Sequence, residues 1–257
     1  MALSGLVGVA VCFADAPSAP VQRPVLPPGY LPRGAAPDSN VLLPPPPAAG
    51  SAAMARDEEA AKAALALQGS PRFEQAAIDA NLFTPGSTGV FSCAAGIVIG
   101  PQSTPKVDAL LRRAGPDLAM AVYPSKRKYM RQRPFMVNGK PTCTPNDEAM
   151  LRNDGSYPSG HSAIGYGWGL ILAELIPDRA AQLAARGRAF GDSRRVCNVH
   201  WLSDVEEGRT VADAVLARMH AEPAFRADMD SARAEIEAVR AKVPATDCAR
   251  ENAALAN

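Results

Sequence analysis

The chain has 257 residues, 47% hydrophobic and 5% aromatic, with a formal net charge of +1. This is enough apolar material for one globular core. The near-neutral balance and the scarcity of aromatics argue against a nucleic-acid surface, and no run of about 18 or more apolar residues reads as a membrane span.

Residues 2–14 are mostly apolar or small, and Ala14-Asp15-Ala16 fits a small-x-small cleavage site, so residues 1–16 read as a signal peptide and the protein as periplasmic or secreted. Residues 17–50 form a proline-rich leader with eleven prolines, including Pro44-Pro45-Pro46-Pro47, and are expected to be extended polyproline and coil without helix. From Ser51 the pattern is helical. Ser51 can cap a helix through about Gln68, and Ser70-Pro71 opens another that ends near Asn81. Thr104-Pro105 opens a third, which Gly115-Pro116 is expected to break, starting a fourth. Helices follow near 160–175, 178–195, 203–220 and 224–241, so a helical domain spans 51–245 ahead of a C-terminal tail at 246–257. Alternating β-branched strands are essentially absent and no internal repeat is evident. The expected class is all-α, in a single domain.

Three short segments carry chemistry. In Lys126-x6-Arg133-Pro134, a helix would return positions seven apart to one face, so Lys126 and Arg133 would project together. Five cations in eight residues also suit a solvated basic face or a nucleic-acid patch, and Arg127, Lys128 and Arg131 are read as surface. In Pro158-Ser159-Gly160-His161, Ser159 can cap a helix and Gly160 lets backbone N–H groups approach an anion. His161 shares the inward stripe of Ile164, Trp168, Ile171, Leu172 and Leu175; it is either a satisfied core histidine or a proton donor facing the pocket. In Ser193-Arg194-x5-His200-x3-Asp204, Asp204 heads the stripe Gly208, Val211, Val215 and Met219. A carboxylate there needs a partner unless it only favours the helix start, and His200 lies four residues back. Three cations, two histidines and one carboxylate suit metal-independent covalent phosphoryl transfer. His220 belongs to no segment and reads as a surface helix-end residue.

Loss of residues 1–16 removes Cys12 and leaves Cys93, Cys143, Cys197 and Cys248. In an exported protein these can form two disulfides by any of three connectivities; in a cytoplasmic one they would be buried thiols. No C-x-x-C pair occurs, so zinc is not expected, and no cofactor is implied.

The three segments resemble the phosphate-pocket motifs of the type 2 phosphatidic acid phosphatase superfamily, which also contains vanadium-dependent haloperoxidases. Gly155-Ser156-Tyr157-Pro158-Ser159-Gly160-His161-Ser162 resembles the stretch typical of bacterial class A non-specific acid phosphatases. The likeness runs from about Leu42 to Ala234, and Leu42-Leu43-Pro44-Pro45-Pro46-Pro47 is similar to the proline stretch that opens that domain, so the leader's end is expected to pack on the body. The resemblance implies a helical bundle around a central phosphate pocket. It makes His200 the nucleophile, Asp204 its orienting group and His161 the general acid and base. Lys126, Arg133, Ser159, Gly160 and Arg194 become the phosphate-binding set, and small phosphate monoesters the substrates. It further implies Cys143–Cys197 and Cys93–Cys248 pairs. A vanadium haloperoxidase and a non-catalytic phosphate-binding protein are the rivals. The Gly155-Ser156-Tyr157 lead-in and modest length favour a phosphatase over the first, and both histidines with Asp204 favour turnover over the second. Nothing in the sequence fixes subunit number, and a homo-oligomer stays open.

Overall fold

Capping residues and prolines set many of the helix starts in the computed structural model, which describes residues 28–82, 84–240 and 248–256. The signal-peptide reading of residues 1–16 and the leader up to residue 27 lie outside the described residues.

The leader contains one turn of helix, α1 (Ser39–Leu42), where coil alone was expected. The Asp38 side chain caps it by accepting the Asn40 N–H, which offsets the poor helical content of its surroundings. Ser51 caps α2 (Ala52–Leu65) and Ser70 caps α3 (Pro71–Asp79), each accepting a backbone N–H from the first turn. A short α4 (Ser92–Ala95) leads to α5 (Pro105–Met120). The expected break at Gly115-Pro116 does not occur: α5 runs unbroken through Pro116. Proline removes one helical hydrogen bond, but Leu111, Ala114 and Leu118 are fully buried on both sides of it, and that packing holds the helix together.

Next come α6 (Tyr123–Tyr129), α7 (Pro134–Asn138) and α8 (Glu148–Leu151), three short helices separated by turns. The long helices α9 (Gly160–Leu175), α10 (Ala180–Val196), α11 (Leu202–Met219) and α12 (Pro223–Arg240) follow, and α13 (Ala249–Leu255) occupies the expected tail. No strand occurs among the described residues, and the fold is all-α.

Helix α9 is the hub, packed against α10, α11 and α5. Its contact with α10 is a close backbone approach: a Cβ on Gly169 would lie 2.8 Å from the Leu183 carbonyl oxygen and 3.1 Å from the Gly187 Cα. At the other end, Gly208 lets α11 meet the start of α9, since a Cβ there would sit 2.4 Å from the Ser159 carbonyl oxygen. These contacts bring the first turns of α9 and α11 side by side, and the Ser159 N–H donates to the Asp204 carbonyl oxygen at 2.9 Å.

The stripes read from the sequence on α9 and α11 are buried: Ile164, Trp168, Ile171, Leu172 and Leu175 on one, Val211, Val215 and Met219 on the other. A smaller cluster of Ala76, Phe135, Leu151, Val196, Cys197 and Val199 forms a separate floor. Disulfides join Cys93 to Cys248 and Cys143 to Cys197, the pairing implied by the family resemblance. Leu43 is buried, and the Tyr157 hydroxyl donates to the Pro44 carbonyl oxygen at 2.8 Å. No helix among the described residues is long and apolar enough to cross a membrane.

Candidate active site

The first motif is not one continuous helix. Met130 adopts a left-handed conformation with φ of 41° and ends α6, while Arg133 is the extended N-cap of α7. Lys126 and Arg133 still converge, because Asp154 and Gly155 pass between them. Lys126 Nζ donates to Asp154 Oδ2 at 3.0 Å and closely to the Gly155 carbonyl oxygen. Arg133 Nη2 reaches the same Asp154 Oδ2 at 2.9 Å, and Arg133 Nε bonds the Leu151 and Asp154 carbonyls.

Arg133 also meets His200. Its Nη1 donates to the Val199 carbonyl oxygen and lies 3.0 Å from His200 Nε2. A guanidinium only donates, so Nε2 carries the lone pair and the ring proton sits on Nδ1. Nδ1 faces Asp204 Oδ2 at 3.3 Å. That oxygen also accepts the Trp201 N–H at 2.8 Å, so Asp204 caps its own helix and holds the histidine at once. The turn carrying His200 is anchored by the Arg194 carbonyl, which accepts from the Val199 and His200 N–H groups, and by Asn198, whose side chain bonds Asn138 and the Lys140 carbonyl.

Ser159 caps α9, its Oγ accepting the Ser162 N–H at 3.2 Å. The Gly160 and His161 N–H groups fall in the first turn, where a helix offers them no internal partner and its dipole favours an anion. His161 is half-buried, and its Nε2 lies 3.0 Å from the Ala80 carbonyl oxygen at the end of α3. A carbonyl only accepts, so Nε2 is protonated and Nδ1 is left to titrate.

Arg194 is 2% exposed, and its Nε and Nη1 are buried without a hydrogen-bond partner among the described residues. A buried guanidinium in that condition is costly and suits an anionic ligand. Burial, then Arg133, lowers its pKa to about 10. Burial, then Arg133, likewise lowers Lys126 to about 8. His161 is held well below the ordinary histidine range by burial and then Arg194, partly offset by the Ala80 carbonyl. His200 is held low by burial and the fields of Arg133, Lys126 and Arg194. Asp204 is pushed up by burial and held down in part by Arg131 and the Trp201 N–H. The cations therefore act on both histidines together.

One assignment is corrected. Arg131, read from the sequence as surface, has a side chain only 10% exposed and is paired with Asp57 and Asp204. It lies past the end of α6, so the face expected from a continuous helix does not apply. The sequence reading also passed over Asp57, Asp154 and the Ala80 carbonyl. Asp57 and Ala64 are both buried and seven apart on α2, a carboxylate on an inward stripe like the one that drew attention to Asp204. Backbone carbonyls carry no such signal. His220 lies at the end of α11 with its side chain 42% exposed, paired with Glu174.

The described residues form an all-helical bundle that gathers buried cations around a carboxylate-held histidine, an arrangement built to hold an anion, and residues 117–224 match the PAP2 superfamily. The chain is 42% identical over 184 residues to the non-specific acid phosphatase of Salmonella typhimurium, covering 70% of this chain and 72% of that protein. It is 39% identical over 193 residues to an acid phosphatase of Zymomonas mobilis, covering 75% and 73% respectively. With the non-specific acid phosphatase of Providencia stuartii it shares 37% identity over 207 residues, covering 80% and 84%. The chain belongs to this acid phosphatase family of the PAP2 superfamily.

Proposed function

We propose that this protein is an acid phosphatase that hydrolyses small phosphate monoesters through a phosphohistidine on His200. The observation that carries the reading is His200 itself: Nδ1 on Asp204, Nε2 against Arg133, and the partnerless guanidinium edge of Arg194 acting on the same ring.

Lys126, Arg133, Arg194 and the first N–H groups of α9 would bind the phosphoryl oxygens. His200 Nε2 forms the bond to phosphorus as the ester P–O bond breaks, and protonated His161 gives the departing alkoxide its proton from Nδ1. Asp204 stabilises the positive charge that builds on the His200 ring. Water then attacks the phosphohistidine, His161 takes its proton, and phosphate and free His200 are regenerated. Export is supported by the signal-like start and by two disulfides, which persist in oxidising compartments.

The test is to quench turnover, isolate the phosphoenzyme under conditions that preserve phosphohistidine, and map the label. Label on His200, absent in His200→Ala, is the expected result. Phosphoserine at Ser159 would reassign the nucleophile, and peroxide-dependent bromide oxidation supported by vanadate would move the protein to the haloperoxidase branch.

A further inference from the structure

Behind Asp204, on the side away from His200, lies a second charge network. Arg131 sits in the linker between α6 and α7. Its Nη1 donates to Asp204 Oδ1 at 2.7 Å and to Ser203 Oγ at 2.8 Å. Its Nη2 donates to Asp57 Oδ2 at 2.7 Å, and the guanidinium lies 5.3 Å from the Trp201 ring. Asp57 comes from α2, with a side chain 2% exposed. It also accepts the Ser203 N–H at 2.8 Å and the Ser203 hydroxyl at 2.6 Å. Asp57, Arg131, Asp204 and His200 thus form one continuous chain of hydrogen bonds.

The two oxygens of Asp204 divide their work. Oδ2 serves His200 and the Trp201 N–H, while Oδ1 takes Arg131. Asp204 is fully buried, and a buried carboxylate with one oxygen unpaired is driven toward its neutral form. Neutral, it no longer counters the charge that develops on the His200 ring during attack. We propose that Arg131, itself held by Asp57, is a positioning residue that keeps Asp204 ionised and turned toward His200. This rests on the dyad reading given above. The charged or titratable groups around Asp204 are His200 in the preceding turn, Arg131 from the α6–α7 linker with Asp57 of α2 behind it, and Lys126, Arg133 and Tyr157 at longer range. Arg131 is the cation that touches the carboxylate directly.

The rival explanation is mechanical: the Asp57–Arg131 pair merely pins α2 to the body, helped by the exposed Arg56–Glu206 pair. The two differ in what they move. A pin changes the melting temperature; a positioning cation changes the pH at which activity is lost on the acid side, because Asp204 must be ionised to work.

The experiment compares Arg131→Met, Arg131→Gln, Arg131→Lys and Asp204→Asn with wild type. The readouts are kcat and KM on nitrophenyl phosphate from about pH 4 to 8, with inhibition by inorganic phosphate and thermal melting. Arg131→Met is expected to move the acid limb of kcat upward by about one to three pH units, the range an adjacent cation holds an aspartate down. Near each such unit, kcat on the acid side falls about tenfold, while KM and phosphate inhibition stay within about threefold of wild type. Arg131→Lys should recover part of the shift. If Arg131→Met does not fold, Arg131→Gln, which also removes the charge beside Asp204, carries the test on the same limb. A folded variant with a wild-type acid limb and only a lowered melting temperature overturns the proposal. So does a raised KM with unchanged kcat, which would put Arg131 on the substrate. Asp204→Asn separates the two levels. If it is crippled while Arg131→Met keeps the wild-type limb, the Arg131 role fails alone; if it is fully active, the dyad reading fails and takes the proposal with it.

Discussion

At the scale of single residues, the site divides two histidines by what each ring nitrogen touches. His161 spends Nε2 on the Ala80 carbonyl and leaves Nδ1 for the proton transfer proposed above; His200 spends Nδ1 on Asp204 and leaves Nε2 for the proposed attack. A general acid matters only when the departing oxygen needs a proton, and such catalysis contributes about 10²–10⁴-fold. His161→Ala should therefore lose about that much on sugar or glycerol phosphates, yet form the phosphoenzyme from nitrophenyl phosphate almost normally. Rapid mixing should show a nitrophenol burst, because the same variant lacks the base for water; equal loss on both substrates without a burst would make His161 structural. The pH profile carries a related sign. His161 must be protonated to act as the acid, and burial with Arg194 holds its pKa below 6.5, so the alkaline limb of kcat/KM falls on the acid side of an ordinary histidine. These residues were legible in the sequence because each motif pairs chemistry-bearing types at short spacing. Arg131 was not, since its role depends on a left-handed turn at Met130 and on a carboxylate 74 positions away.

Among the elements, α9 and α11 matter most, since their first turns carry Ser159, Gly160, His161 and Asp204 side by side. The caps, prolines and apolar stripes of the long helices were readable from the chain, and Ser51, Ser70 and Ser159 all cap where the pattern places them. The Gly115-Pro116 break was misread because local propensity was outweighed by burial on both sides of Pro116. The short helices α6 to α8 follow turns whose geometry only tertiary contact fixes; Arg133 ties the start of α7 to the end of α8 and the segment after it through the Leu151 and Asp154 carbonyls, and to the α10–α11 turn through the Val199 carbonyl. The interface between α9 and α11 offers a direct test. Gly208→Ala places a methyl 2.4 Å from the Ser159 carbonyl oxygen and 2.9 Å from Ser162 Cβ, so the helices must separate. Overpacking of this kind costs about 1–3 kcal/mol, readable in urea unfolding. Because Asp204 lies one turn before Gly208, kcat should fall as well, and a variant with wild-type stability and kcat would show that the close approach is dispensable.

Across the whole molecule, function and stability pull against each other through the two site histidines. His161 and His200 titrate near 6.5 when the chain is unfolded, but burial and the surrounding cations hold both well below that in the fold. The unfolded state therefore binds more protons as pH drops below 6.5, and the stability present above 6.5 is lost on the way down to the folded values. Asp204, Asp117, Glu207 and Asp213, whose pKa values burial raises, work in the opposite sense, each adding stability as pH falls through its raised folded value. The Cys93–Cys248 and Cys143–Cys197 bonds, spanning 155 and 54 positions, constrain the unfolded chain at every pH and do not change this slope. The histidine contribution to the unfolding free energy of the ligand-free protein should thus decline on acidification from 6.5, by up to about 1.4 kcal/mol per pH unit for each ring. Inorganic phosphate should reverse the trend, since a bound anion favours the charged forms of Lys126, Arg194 and both histidines. At about 100 times its Kd it adds about 2.7 kcal/mol. Denaturant titrations at stepped pH, with and without phosphate, measure both effects, and His161→Gln should remove part of the slope. A slope unchanged by that substitution, or a phosphate effect confined to alkaline pH, would mean that burial and the cations do not hold His161 below its unfolded pKa.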